Sequence, residues 1–148
     1  MLDHDGRIVF DSTAILRYLD ELEPEPRLFR TPEIEIFVDW FNRVWKRPPN
    51  EIEAERRATQ PDEERIAALG RELTSALDLF ERLLEGREFL FGDLSAADFA
   101  AFPFLKYALD RNYEDDEPFH AILREFQPIA GHAGLEAWIR RVDSLPRA

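Results

Sequence analysis

Six apolar residues, Ile66, Leu69, Leu73, Leu77, Phe80 and Leu84, recur at three- and four-residue intervals. A helix places that spacing on one face, and here the face runs for about five turns. Gly86 follows where a left-handed C-terminal residue belongs. A second stripe, Ile34, Phe37, Val38, Phe41, Val44 and Trp45, has the same period and begins after Thr31-Pro32, an N-cap and first-turn proline pair. Two long one-sided helices cannot stay in water alone, so each requires other helices to cover it. Ile36 and Trp40 add a second apolar line to the 32–46 helix, which serves either as core or as a groove or subunit contact.

The remaining pattern supplies those partners. Ser95-Ala96-Ala97-Asp98 resembles a capping box and opens a helix whose expected buried stripe is Phe99, Phe102, Leu105 and Leu109, kinked at Pro103. Phe119, Ile122, Leu123 and Phe126 predict a short helix ending by Pro128, and Leu135, Trp138, Ile139 and Val142 a last one ending by Pro146. Pro48-Pro49 is expected to break the chain, with 51–60 continuing as a solvated helix anchored by Ile52, Ala54 and Ala58. At the other end, Asp5-Gly6 precedes the run Ile8-Val9-Phe10, a hairpin signal. A helix then starts near Ser12, carries Ile15, Leu19 and Leu22, and stops before Pro24 and Pro26. The expected fold class is mainly α, about five to six helices behind a short N-terminal β-hairpin.

Composition excludes several functions. Nineteen Lys and Arg against thirty-one Asp and Glu give a net charge of −12, which repels a phosphate backbone or an anionic membrane surface. No nucleic-acid or membrane partner is expected. The absence of cysteine removes disulfides, thiolate zinc sites and a cysteine nucleophile. The first residues lack a basic and then apolar leader, and nothing approaches a membrane span. The expectation is a soluble, cytoplasmic, acidic protein.

Few residues offer chemistry. His4, His120 and His132 lack the i, i+4 partners of helical zinc sites and read as surface or cap residues, so no metal site is expected. Asp3-His4-Asp5-Gly6 fits a hairpin turn better than a calcium loop. Asp115-Asp116-Glu117 reads as a solvated acidic surface. No glycine-rich phosphate loop or nucleophile elbow is present, and no catalytic residue is assigned. One polar spot differs: Asp11-Ser12 lies where an apolar strand passes into a helix. There the first helical N–H groups and the Ser12 hydroxyl suit a carboxylate, and Asp11 an ammonium. Ordinary capping by the same two residues is the alternative.

Three segments in order, Phe10-Asp11-Ser12-Thr13-Ala14-Ile15-Leu16-Arg17-Tyr18-Leu19, Phe89-Leu90-Phe91-Gly92-Asp93-Leu94-Ser95-Ala96-Ala97-Asp98-Phe99 and Leu135-Glu136-Ala137-Trp138-Ile139-Arg140-Arg141-Val142, resemble the glutathione S-transferase family. The resemblance implies that 1–22 is a remnant of the thioredoxin-like glutathione-binding domain, two strands and its third helix. It makes 23–31 the linker and 32–148 the all-helical C-terminal domain. It also implies that Asp11 and Ser12 hold the ammonium and carboxylate of the γ-glutamyl end of glutathione, the co-substrate. Ser95 and Asp98 match the family's structural capping box. The family's thiol-activating Tyr, Ser or Cys would precede Met1, so this chain alone is expected to be inactive. The full-length form is expected to conjugate glutathione to a hydrophobic electrophile held near Phe41, Trp45 and Tyr107. The alternative is a non-catalytic dimerisation or interaction module of the same fold. A homodimer is expected on either reading.

Overall fold

A computed structural model describes every residue except Pro24, Pro26, Arg111, Tyr113, Arg147 and Ala148. The two linker prolines and Tyr113, which opens the acidic stretch, therefore lie outside the described residues. Strands β1 (Leu2–His4) and β2 (Arg7–Val9) pair antiparallel in the register Leu2↔Val9, Asp3↔Ile8 and His4↔Arg7. Asp5 and Gly6 turn the chain with φ of 52° and 81°, the positive pair that a tight two-residue hairpin demands. Helix α1 (Ser12–Leu22) follows and buries Tyr18, whose hydroxyl meets His4 Nδ1 at 2.7 Å while Arg7 lies over its ring. The hairpin is thereby held on α1.

The helical part comprises α2 (Pro32–Trp40), a π-helical turn (Phe41–Trp45), α3 (Arg47–Arg56), α4 (Glu63–Ser75), α5 (Leu77–Leu83), α6 (Ala96–Leu105), α7 (Pro118–Phe126) and α8 (Ala133–Asp143). The protein is mainly helical with one small antiparallel sheet, as its periodicities predict. Among the described residues the helices number the expected six when 32–56, interrupted at the π turn and Lys46, and 63–83, interrupted at Ala76, are each taken as one. Pro48-Pro49 does not break the chain. Both prolines are buried in the first turn of α3, where the missing N–H has no helical partner to lose. Of the three expected anchors in the charged segment, Ile52 is fully buried, while Ala54 and Ala58 are exposed. Thr31 stands at the N-cap of α2 but makes no side-chain cap bond.

Helix α6 occupies the centre, in contact with α1, α2 and α8. Of the expected stripe Phe99, Phe102, Leu105 and Leu109, Leu105 is fully buried and Phe102 and Leu109 partly so, while the helix also buries Ala96, Ala97, Asp98 and Ala101. Small side chains let neighbouring helices approach closely on several sides. Phe99 is left exposed, and Phe102 packs edge-on to Trp138 at 6.2 Å. Pro103 lies inside the helix. The capping box is formed, with Asp98 Oδ2 accepting from Ser95 N at 2.9 Å and from Ser95 Oγ at 3.0 Å. The 27–30 segment seats on the same corner. Leu28 O accepts from Ala96 N at 3.0 Å, and Arg30 donates to the carbonyls of Leu94 and Asp93.

One polar reading changes. Asp115 is not a solvated acid: it receives Arg124 Nη1 at 3.1 Å and pairs with His120 Nδ1 at 2.8 Å, and the His120 ring stacks on Tyr107. Burial pushes its carboxyl up, but hydrogen bonds from Arg124, the Glu117 amide and His120 outweigh this and hold its pKa at about 2. Among the described residues, no helix is long and apolar enough to cross a membrane.

Candidate functional site at the head of helix α1

Asp11 is the N-cap of α1, with φ of 74°, a backbone region that residues other than glycine rarely enter. Its Oδ1 accepts from Thr13 N at 2.8 Å and Ala14 N at 3.2 Å. The cap therefore occupies two of the helical N–H groups that the sequence assigns to a ligand carboxylate. Asp11 Oδ2 and the Ser12 hydroxyl make no hydrogen bond among the described residues, and both side chains are exposed. The two expected site residues thus lie side by side. Asp11 divides its carboxylate, one oxygen for the cap and one available to a cation.

Both line a cleft of about 460 Å³ whose opposite wall is the α2–α3 junction, with Asn42, Arg43 and Lys46. The junction is set by the π turn, closed by Lys46 N to Phe41 O at 3.1 Å. A five-residue turn inserts one position, so residues beyond it are rotated by about 100° from a continuous α-helix. Asn42 bridges the walls, donating from Nδ2 to Thr13 Oγ1 at 3.0 Å and accepting Lys46 Nζ on Oδ1 at 2.7 Å. Lys46 Nζ also lies 4.3 Å from the Phe104 ring centroid. Burial pushes the Lys46 pKa down, partly opposed by the Asp11 carboxylate.

The charges of the cleft are distributed in a simple way. Arg17 pairs with Glu35 and Arg43 with Asp39, both at 2.8 Å. Asp11 and Lys46 form no salt bridge, so one anion and one cation face the same space. A zwitterionic ligand end fits this arrangement, its ammonium on Asp11 and its carboxylate on Ser12. The helix dipole adds to the latter contact. Asn42 and Lys46 carry no motif and are absent from the sequence assignment. The residues of the expected electrophile wall, Phe41, Trp45 and Tyr107, are buried: the first two stack 4.5 Å apart, Trp45 lines a small pocket of about 90 Å³ with Trp40, Val44 and Leu73, and Tyr107 stacks on His120. The histidines are paired outside the cleft, His4 with Tyr18, His120 with Asp115 and His132 with Asp78.

Comparison with known proteins places the chain in a family. The family model described as "Glutathione S-transferase, C-terminal domain" matches residues 63–141, more than half of the chain. The chain belongs to the glutathione S-transferase family. It is similar to a crystal structure of a glutathione S-transferase from Rhodospirillum rubrum F11, with a TM-score of 0.69 and 26% identity over 97% of this chain. The match covers 64% of that protein, so the chain spans less than two thirds of its length. No curated protein matches the chain.

Proposed function

We propose that this chain carries the γ-glutamyl part of a glutathione site, and that the full-length form conjugates glutathione to a hydrophobic electrophile. The observation that supports this most is the pair of unspent oxygens at the head of α1, Asp11 Oδ2 and Ser12 Oγ, in a chain of this family. Asp11 receives the ligand ammonium and Ser12 its carboxylate. On this reading 1–22 serves as the glutathione-binding part, 23–31 as the linker and 32–148 as the helical domain. No residue of the cleft is assigned to thiol activation, so the role of this chain is to bind and orient. Peptide competition tests the reading. Glutathione and free γ-glutamylcysteine should compete for one site while cysteinylglycine, which lacks the γ-glutamyl end, does not. Equal competition by all three contradicts it.

A second reading, a dimerisation or interaction module, is favoured by a different face. Ile36 is 68% exposed and Val44 46% exposed, flanking half-buried Trp40 on one line along α2 and the π turn. An apolar line of this kind suits a second copy of the chain, and a homodimer formed through it is compatible with either activity.

A further inference from the structure

Among the described residues, Lys46 is the cation of the cleft at the head of α1 that forms no ion pair with its acids. Arg17 and Arg43 are each neutralised at 2.8 Å by Glu35 and Asp39, whereas Lys46 has only the neutral Asn42 amide oxygen and the faces of Phe104 and Phe41. An ammonium has three donors, and only one is used here. Asn42 fixes its place, because the same side chain is anchored to Thr13 across the cleft. The Asp11 cap meanwhile takes the Thr13 and Ala14 amides, which removes two donors a carboxylate would otherwise use. The anion-binding capacity of the head of α1 is thus reduced where a fixed cation stands opposite. A π-helical turn sits at this point of the helix, and such turns concentrate at functional sites.

We propose that Lys46, positioned by Asn42 and the Phe104 ring, is the residue that receives the α-carboxylate of the ligand, opposite the Asp11 that receives its ammonium. The site then selects ligands by a zwitterionic end, with Ser12 as the second contact to the carboxylate. This rests on the glutathione reading above and adds to it a recognition residue from the helical domain.

The test compares wild type, Lys46→Met and Lys46→Arg in binding titrations with glutathione and with 4-aminobutyryl-cysteinylglycine, the analogue without the α-carboxylate. Methionine keeps an apolar stem over Phe104 and removes the charge. Lys46→Met should weaken glutathione by about tenfold or more, the worth of a charge-assisted hydrogen bond. Lys46→Arg should retain most of the affinity, and Lys46→Met should bind the analogue as wild type does, with an unchanged urea midpoint. Three results overturn the assignment: equal glutathione affinity in wild type and Lys46→Met, equal loss of both ligands in Lys46→Met, or wild type binding the analogue as tightly as glutathione. The first two leave the glutathione reading standing, and the third also removes the Ser12 contact to the carboxylate from it. Absence of any saturable glutathione binding to wild type removes that reading as well.

Discussion

The Trp138 indole N–H donates to Asp98 Oδ1 at 2.8 Å, joining the middle of α8 to the first turn of α6 inside the core. The same oxygen accepts Leu90 N at 3.0 Å, and the other accepts Ser95 N and Ser95 Oγ. Asp98 is therefore a junction of two helices and a loop as well as a cap. Asp98→Ala strands the Leu90, Ser95 and Trp138 donors in a dry site. Each unsatisfied buried donor costs about 1–3 kcal/mol, so a loss of about 3 kcal/mol or more is expected. Ser95→Ala removes the hydroxyl's contacts with the Asp98 amide and carboxylate and should cost about 0.5–2 kcal/mol. Urea unfolding checks the order: Asp98→Ala must be the more damaging of the two.

Gly70 in α4 lies against the Phe126 ring, and a Cβ there would sit 2.3 Å from Phe126 Cε1. Alanine gains about 1 kcal/mol of helix propensity over glycine, but overpacking a filled site costs about 1–3 kcal/mol. Phe126 also marks a fixed point, since its carbonyl accepts Thr74 Oγ1 at 2.8 Å. Gly70→Ala should therefore destabilise the protein by about 1 kcal/mol, and by less in a Phe126→Leu background. Unfolding midpoints of the four chains in that double-mutant cycle measure the coupling.

Most of the fold was legible because helix period, caps and the hairpin turn are local properties. Ile66 to Leu84 needed only their spacing, and Ser95 to Asp98 only their residue types. What stayed hidden was set by distant partners or by departures from ideal geometry. Trp138 reaches Asp98 from 40 residues away, so the capping box looked like an ordinary one. The spacing of Phe99 fits the buried face of a one-sided helix, whereas the central place of α6 makes alanine a buried residue there. Asp11 and Ser12 were visible from a strand-to-helix passage, but Asn42 and Lys46 were not. The π turn over Phe41–Trp45 rotates Lys46 away from where a continuous α-helix would place it.

Asp115 gives the chain an acid-sensitive contact. Its pKa is held at about 2, below the usual 3.8, so the folded state binds this proton less readily than the unfolded chain does. The contribution to stability is present above about pH 3.8 and is lost as pH falls toward 2. Asp115→Asn should be less stable than wild type at neutral pH. The gap between their urea midpoints should close across that acid window, and a gap independent of pH would exclude the Arg124 and His120 pairing as its source.

Exposed Ile36 and Val44, on one line with half-buried Trp40, predict association. Sedimentation equilibrium at micromolar concentration should give twice the 17.4 kDa chain mass, and Ile36→Glu and Val44→Glu should each shift the chain to monomer. At physiological salt, exposed charges are screened over about 8 Å, so the net charge of −12 does not forbid the contact.

The central claim is that the head of α1 receives the γ-glutamyl end of glutathione. The most direct measurement is a backbone amide chemical-shift titration of the 148-residue chain with glutathione, carried to millimolar ligand. The account predicts weak, saturable shifts at Ser12, Thr13, Asn42 and Lys46, all with one dissociation constant, and their loss in Ser12→Ala or Asp11→Ala. Shifts confined to other surfaces, or none that saturate, would contradict it.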